Sequence, residues 1–256
     1  MKTYTSKGTI CIAGQFDLIY RVADIFYYLN DDDSFKYVFK PNYAVTELIG
    51  SWYFQGIPGL NLDLKKEEYI RENRVPVFIS ERVPSPRRED YFELLEKVNM
   101  DYMDPIEYLI RTKERYSGDK LFVVPYEDKK TVILNKDTHD TNASLLKKIL
   151  KEICFGNDVV INNQTINDSN RKIFHDIFMD LYSRSYELRK EKQKEGILEA
   201  KNSGRYKGRK PISVDEMKFL DLLSKVEEKE MSPKEAASIL GISIDKYYRI
   251  KKKLQK

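Results

Sequence analysis

Basic side chains crowd the C-terminal end of this chain. Residues 201–256 contain fifteen lysines and arginines against eight acids, a net +7, so residues 1–200 carry −3 of the overall +4. A basic tail on a mildly acidic body is the electrostatic footprint of a nucleic-acid-binding module joined to something else. Within it, KNSGRYKGRKPI at 201–212 has five bases, two glycines and a proline, and no acid. That composition makes a linker, and an ordinary charged tether would read the same way. It also suits an arm in the DNA minor groove, where glycines permit close approach and Arg205, Lys207, Arg209 and Lys210 answer the negative potential.

A small helical unit must position the bases that follow. One helix is expected over 213–229, with Ser213 as its cap and Met217, Leu220, Leu223 and Val226 as its buried stripe. A second is expected over 233–240, capped by Ser232 with Glu235 completing a capping box and Pro233 at its first position. Gly241 supplies a tight turn, and a third helix is expected over 243–254, with Ile244, Tyr247, Tyr248 and Ile250 as packing candidates. This is the pattern of a helix-turn-helix, whose last helix enters the major groove. Ser243, Asp245, Lys246 and Arg249 are the candidates for base edges, and Tyr247 is counted with the DNA-binding set as well as with the packing set. Lys251, Lys252, Lys253 and Lys256 suit phosphates, which position a protein without specifying sequence. A three-helix protein-interaction module is the alternative.

The rest of the chain offers less chemistry. Two cysteines and two histidines are too few for a disulfide framework or a convincing zinc site, so no metal or cofactor is expected. Asp137, His139 and Asp140 read as a polar loop after a strand. His175 and Asp176 fall in a helical pattern, where sequence neighbours are expected to point apart, so they make no phosphohydrolase dyad. With 41% hydrophobic residues among 256, the chain has material for a core, which excludes wholesale disorder. No apolar run approaches the roughly 18 residues of a membrane span, and the N-terminus lacks a signal-peptide pattern. A soluble, cytoplasmic protein with no membrane partner is expected.

Upstream of the tail, the pattern predicts an α/β or α+β domain over 1–156. Strands are expected at 8–14, 36–45 and 74–79, and helical spacing at 18–29. The segment 45–62 reads as loop-rich, and helices are expected over 87–98 and 105–115. The runs 120–125 and 130–134 could pair as a hairpin. A helix at 143–154 leads into the strand of GNDVVINN. From about 170 to 195 a long helix is expected, capped by Asp168 or Ser169, apolar in its first half and charged in its second. The domains thus read as 1–156, then 157–200 as a strand with the long helix, 201–212 as the arm, and 213–256 as the helix-turn-helix.

QKEGILEAKNSGRYKGRKPI followed by SPKEAASILGISIDKYYRIKK resembles the C-terminal part of the serine recombinases, the resolvases and invertases. Glu195, Gly196, Ala200, Lys201, Gly204, Gly208 and Arg209 fit the first part of that pattern; Ala236, Ile239, Leu240, Gly241, Ser243, Tyr248 and Arg249 fit the second. The resemblance covers about 157–256 and is strongest from 187. It implies a homodimer formed through the 170–195 helix on double-stranded DNA. Active members carry an Arg-Val-Ser motif whose serine attacks the DNA phosphate, and later arginines that neutralise the transition state. Here Arg21-Val22 is followed by Ala23, and Lys136 and His139 stand where those arginines should be. The reading is therefore of a regulator or accessory factor without strand exchange. The alternatives are an active, divergent recombinase using Ser85 through a phosphoserine intermediate, aided by Arg82, Arg87 or Arg88, and an N-terminal effector domain delivered to DNA by the tail. A fainter resemblance links 74–125 to the N-terminal subdomain of persistence-toxin kinases, without a kinase core or a Gly-rich phosphate loop.

Overall fold

The computed structural model describes residues 4–113, 115, 118–134, 141–204 and 214–254, residues 253 and 254 by their backbone alone. The chain divides into two compact units, Met1–Lys190 and Glu191–Lys256. The first is built on an antiparallel sheet of β1 (Tyr4–Ala13), β2 (Ile19–Leu29), β3 (Phe35–Pro41), β4 (Tyr69–Glu72) and β5 (Leu121–Pro125), in the order β4-β3-β2-β1-β5. β1 lies inside the sheet, and Thr9, Ile10, Cys11 and Ile12 are all fully buried, so both faces of the strand are covered. That explains its unbroken apolar run, because a strand with one wet face would alternate.

Four elements depart from the sequence expectations. Residues 19–29 form β2 and not a helix, pairing along their length with β1 and β3. Apolar residues at 18, 22, 25 and 29 satisfy a helical period by coincidence, while the Ile, Val, Phe and Tyr content of the segment suits a pleated surface. The strand expected at 36–45 stops at Pro41, and Asn42 caps the short α1 (Tyr43–Thr46) by accepting from the Val45 N–H. The strand expected at 74–79 is replaced by α2 (Val77–Ser80), which starts after Pro76, a residue with no N–H for a ladder. Residues 120–134 make no hairpin: β5 joins β1, whereas β6 (Thr131–Ile133) runs parallel to β7 (Asp158–Ile161).

α3 (Tyr91–Lys97) and α4 (Pro105–Thr112) fall where expected, the latter capped by Asp104, whose carboxylate accepts from the N–H groups of Ile106 and Glu107. α4 lies against β1 and β5. α5 (Asn142–Cys154) leads into β7, and a two-residue turn with Asn162 and Asn163 in left-handed conformation returns the chain as β8 (Gln164–Ile166). Because β7 pairs with β6, residues 157–190 belong with the body of the first unit.

α6 (Arg171–Asn202) is 32 residues long and continues through Gly196, past the expected end. Neither Asp168 nor Ser169 caps it. The Asn167 carbonyl accepts from the Arg171 N–H at 2.8 Å, while the Asp168 carboxylate turns to the Arg171 and Lys129 side chains. Arg171 is fully buried. Its guanidinium donates to the carbonyls of Ile153 (3.0 Å) in the last turn of α5 and of Gly156 (3.1 Å) and Asn157 (2.8 Å) just beyond it, and to Asp158 (3.3 Å) and Asp168 (2.8 Å). A cation at a helix C-terminus satisfies carbonyls that have no intrahelical partner. α6 turns Phe174, Phe178 and Tyr182 to the core and leaves Ile173, Ile177 and Leu181 exposed in its first half and Leu188 exposed in its second. No helix among the described residues is long and apolar enough to cross a membrane.

Candidate nucleic-acid interface

The second unit contains α7 (Glu216–Glu227), α8 (Pro233–Ile239) and α9 (Ile244–Leu254) around a core of Phe219, Leu222, Leu223, Ala236, Ala237, Ile242 and Tyr247. Asp215 caps α7 by accepting from the N–H groups of Met217 and Lys218; Ser213 lies outside the described residues. The buried stripe is shifted from the expected one. Met217 is 81% exposed and Leu220 is exposed, while Phe219 and Leu222 take the core positions beside Leu223. Met217 sits in the first turn, before α7 reaches its neighbours, and the bulkier Phe219 anchors the helix against Tyr247, ring centroids 5.1 Å apart.

α8 begins with the expected capping box. The Ser232 hydroxyl accepts from the Glu235 N–H, the Glu235 carboxylate accepts from the Ser232 N–H at 2.8 Å, and Pro233 occupies the first turn. The backbone and hydroxyl hydrogen bonds from Ser232 hold the Glu235 carboxyl below its usual range. The end of α8 is closed by two bonds, Gly241 N–H to the Ser238 carbonyl and Ile242 N–H to the Ala237 carbonyl. Gly241 has φ 64, the left-handed conformation this closure needs, and Ile242 then drops into the core. The chain restarts as α9, with the Ser243 hydroxyl accepting from the Lys246 N–H.

The register of α9 sorts the candidates. Asp245, Tyr248, Arg249 and Lys252 are exposed and share one face. Lys246 is half-buried and already partnered, and Lys251 is tied to Glu227 of α7 at 3.2 Å. Tyr247 is fully buried, which corrects its place in the DNA-binding set: its ring packs on Phe219 and cannot reach a base or a phosphate. The aromatic on the outer face is Tyr248, 53% exposed, which the sequence reading assigned to packing. Ile250, three residues on, packs against the same core, and that spacing marks 247 as a packing position, whereas the expected packing residue Ile244 is exposed. Arg205, Lys207, Arg209 and Lys210, and the side chain of Lys253, lie outside the described residues.

No family model, curated protein or solved structure matches the chain.

Ser85 sits in an exposed turn of the first unit, where its hydroxyl accepts from the Arg87 N–H at 3.4 Å. Arg82 is buried, pairs with Asp119 and donates to the Phe78 carbonyl, while Arg88 pairs with Asp90 at 2.8 Å. Two of the three guanidiniums named with Ser85 are thus committed to carboxylates. Arg21, of the Arg-Val-Ala segment, is engaged by Asp24 in two bonds of 2.9 and 2.7 Å. Asp137, His139 and Asp140 lie outside the described residues, and among those described no group of three or more metal-ligating side chains is gathered. His175 and Asp176 do meet, with Nδ1 3.1 Å from Oδ1, contrary to the expectation that they point apart. His175 is buried while Asp176 is exposed beside it, close enough for the short Asp side chain to reach the ring.

Proposed function

We propose that the chain is a sequence-specific DNA-binding protein acting as a homodimer, of serine-recombinase descent and without strand-exchange chemistry. The observation that carries the reading is the outer face of α9, where Asp245, Tyr248, Arg249 and Lys252 stand exposed directly after the Gly241 turn. A short capped helix, a glycine turn and a helix with polar groups facing outward suit a helix-turn-helix laid into the major groove. The net +7 of residues 201–256 supports the same partner. Self-association is supported by Ile173, Ile177 and Leu181, aligned one turn apart on the exposed side of α6 with Leu188 two turns further on. The commitment of Arg21, Arg82 and Arg88 to carboxylates supports a loss of phosphoryl-transfer chemistry.

Selection from a random duplex library should enrich inverted half-sites. Affinity should fall with salt at a log–log slope of about −0.9 per phosphate neutralised. Arg249→Ala should cost about 1–3 kcal/mol and relax sequence preference, whereas Lys252→Ala should weaken all sequences alike and lower the salt slope by about 1. Leu181→Glu should shift the sedimenting species from dimer to monomer. Binding indifferent to sequence and to Arg249 would refute the module, and a denaturation-resistant DNA adduct lost in Ser85→Ala would make the protein a recombinase.

A further inference from the structure

A cleft of about 260 Å³ opens in the first unit between the turn after β1, the segment following α1, and α6. Its polar floor is a pair of buried side chains, Tyr20 and His175, with the Tyr20 hydroxyl 3.1 Å from His175 Nε2. Asp176 at Nδ1 favours the tautomer with its proton there, which leaves Nε2 to accept from the phenol. Burial lowers the His175 pKa against the opposing pull of Asp176, so the imidazole is neutral at physiological pH. Cys154 lies behind Tyr20, with its thiol pushed up to about 12 by burial, and burial raises the Tyr20 hydroxyl as well. Neither is an anion near neutrality, so the pair presents a neutral polar floor.

The walls are aromatic. Trp52 and Tyr53 meet edge to face with centroids 5.4 Å apart, and the Tyr53 hydroxyl is fixed on the Ala13 carbonyl. Two glycines make room for these rings: a Cβ at Gly14 would fall 2.4 Å from a Tyr20 ring carbon, and one at Gly50 2.6 Å from Trp52 Nε1. Trp52 remains 78% exposed at the mouth, an unusual cost for the largest apolar side chain unless something covers it. Leu48, Ile49 and Met179 add apolar lining and Gln15 a neutral polar group at the rim; Lys120 lies over the Tyr53 ring at 4.6 Å, but no lining side chain itself carries a charge, so the lining offers a charged guest no counter-ion. The volume exceeds the roughly 150 Å³ that holds benzene and falls just short of the roughly 300 Å³ where sites for drug-sized ligands begin.

We propose that this cleft binds a neutral, planar, bicyclic heteroaromatic molecule, stacked on the Trp52 and Tyr53 wall with a ring N–H donating to the Tyr20 phenol oxygen, whose own proton is held by His175. The site stands independently of the DNA-binding reading. Trp52 is the chain's single tryptophan, so its fluorescence in the full-length protein reports occupancy. Titration with benzimidazole should give a saturable change with a dissociation constant between about 10 μM and 1 mM, the range open to a fragment-sized ligand. Naphthalene, which cannot pair with the polar floor, should bind about tenfold more weakly. Quinoline-2-carboxylate, which brings a charge, should not saturate. By calorimetry, Trp52→Ala, an exposed position that the fold tolerates, should weaken benzimidazole binding about three- to tenfold. Gly50→Ala, which displaces the indole, should weaken it too. No saturable response to benzimidazole, unchanged affinity in Trp52→Ala, or a preference for naphthalene or the carboxylate would overturn the proposal.

Discussion

Arg171 offers the sharpest test of how the first unit is held together. Replacing it with Met keeps most of the side-chain volume but removes a fully buried guanidinium that donates to three backbone carbonyls and two carboxylates. Breaking a buried ion pair by removing one partner typically costs about 3–5 kcal/mol, and each buried acceptor left unpaired contributes about 1–3 kcal/mol to such a loss. Asp158 and Asp168 are partly solvated and both keep Lys129, so the range for the broken ion pair governs the total. A loss of about 3–5 kcal/mol is expected, which lowers the midpoint by about 6–20 °C for a unit of this size. Trp52 fluorescence follows the first unit alone during urea or thermal unfolding. Arg171→Lys should recover little, since one ammonium cannot span five acceptors in a planar fork. Arg184→Met on the same helix removes only an exposed pair with Asp180 and should change stability by less than about 0.5 kcal/mol. A loss below about 1 kcal/mol in Arg171→Met would refute the view that this side chain joins the end of α5 to the start of α6.

Three further outcomes are expected. Lys229 ends α7 in the left-handed conformation at φ 63, so Lys229→Gly should raise the calorimetric transition of the second unit by about 0.5–1 kcal/mol; a loss of stability would show that the Lys side chain matters there. The Tyr247 hydroxyl is buried with no hydrogen-bond partner among the described residues, so Tyr247→Phe should leave stability unchanged or raised by up to about 1 kcal/mol and DNA affinity unaltered, while Tyr248→Ala should weaken DNA binding; an affinity loss in Tyr247→Phe would restore that residue to the interface. His175, facing Tyr20, Asp176 and Lys172, has a folded pKa lowered by burial below the ordinary 6.5, so the unfolded chain takes up a proton first as pH falls. Stability should drop as pH is lowered through that value until the folded imidazole itself protonates, and urea midpoints between about pH 5 and pH 8 should lose that slope in His175→Gln; matching slopes in the two proteins would count against it.

The second unit was readable because its signals are local. Ser232, Pro233 and Glu235 start α8 within one turn, and Gly241 ends it, each through bonds spanning five residues or fewer. The same locality failed at Tyr247 and Tyr248, two adjacent aromatics that only the packing of α7 against α9 tells apart. Residues 120–134 resist a sequence reading because their strand partners lie far along the chain, whereas 18–29 pairs with its sequence neighbours and loses the alternation that marks a strand because both faces of the sheet are covered there.

Composition, charge asymmetry and the capping residues by themselves determined a mixed α and β body, a long helix and a basic helical end. The partners of Arg171, the face of α9 that meets solvent, and the gathering of Tyr20, Trp52 and His175 around one cleft were decided only in three dimensions. The physical reason is range: a cap or a turn is closed by neighbours, whereas a buried guanidinium or a cleft needs segments whose separation along the chain leaves no periodic trace.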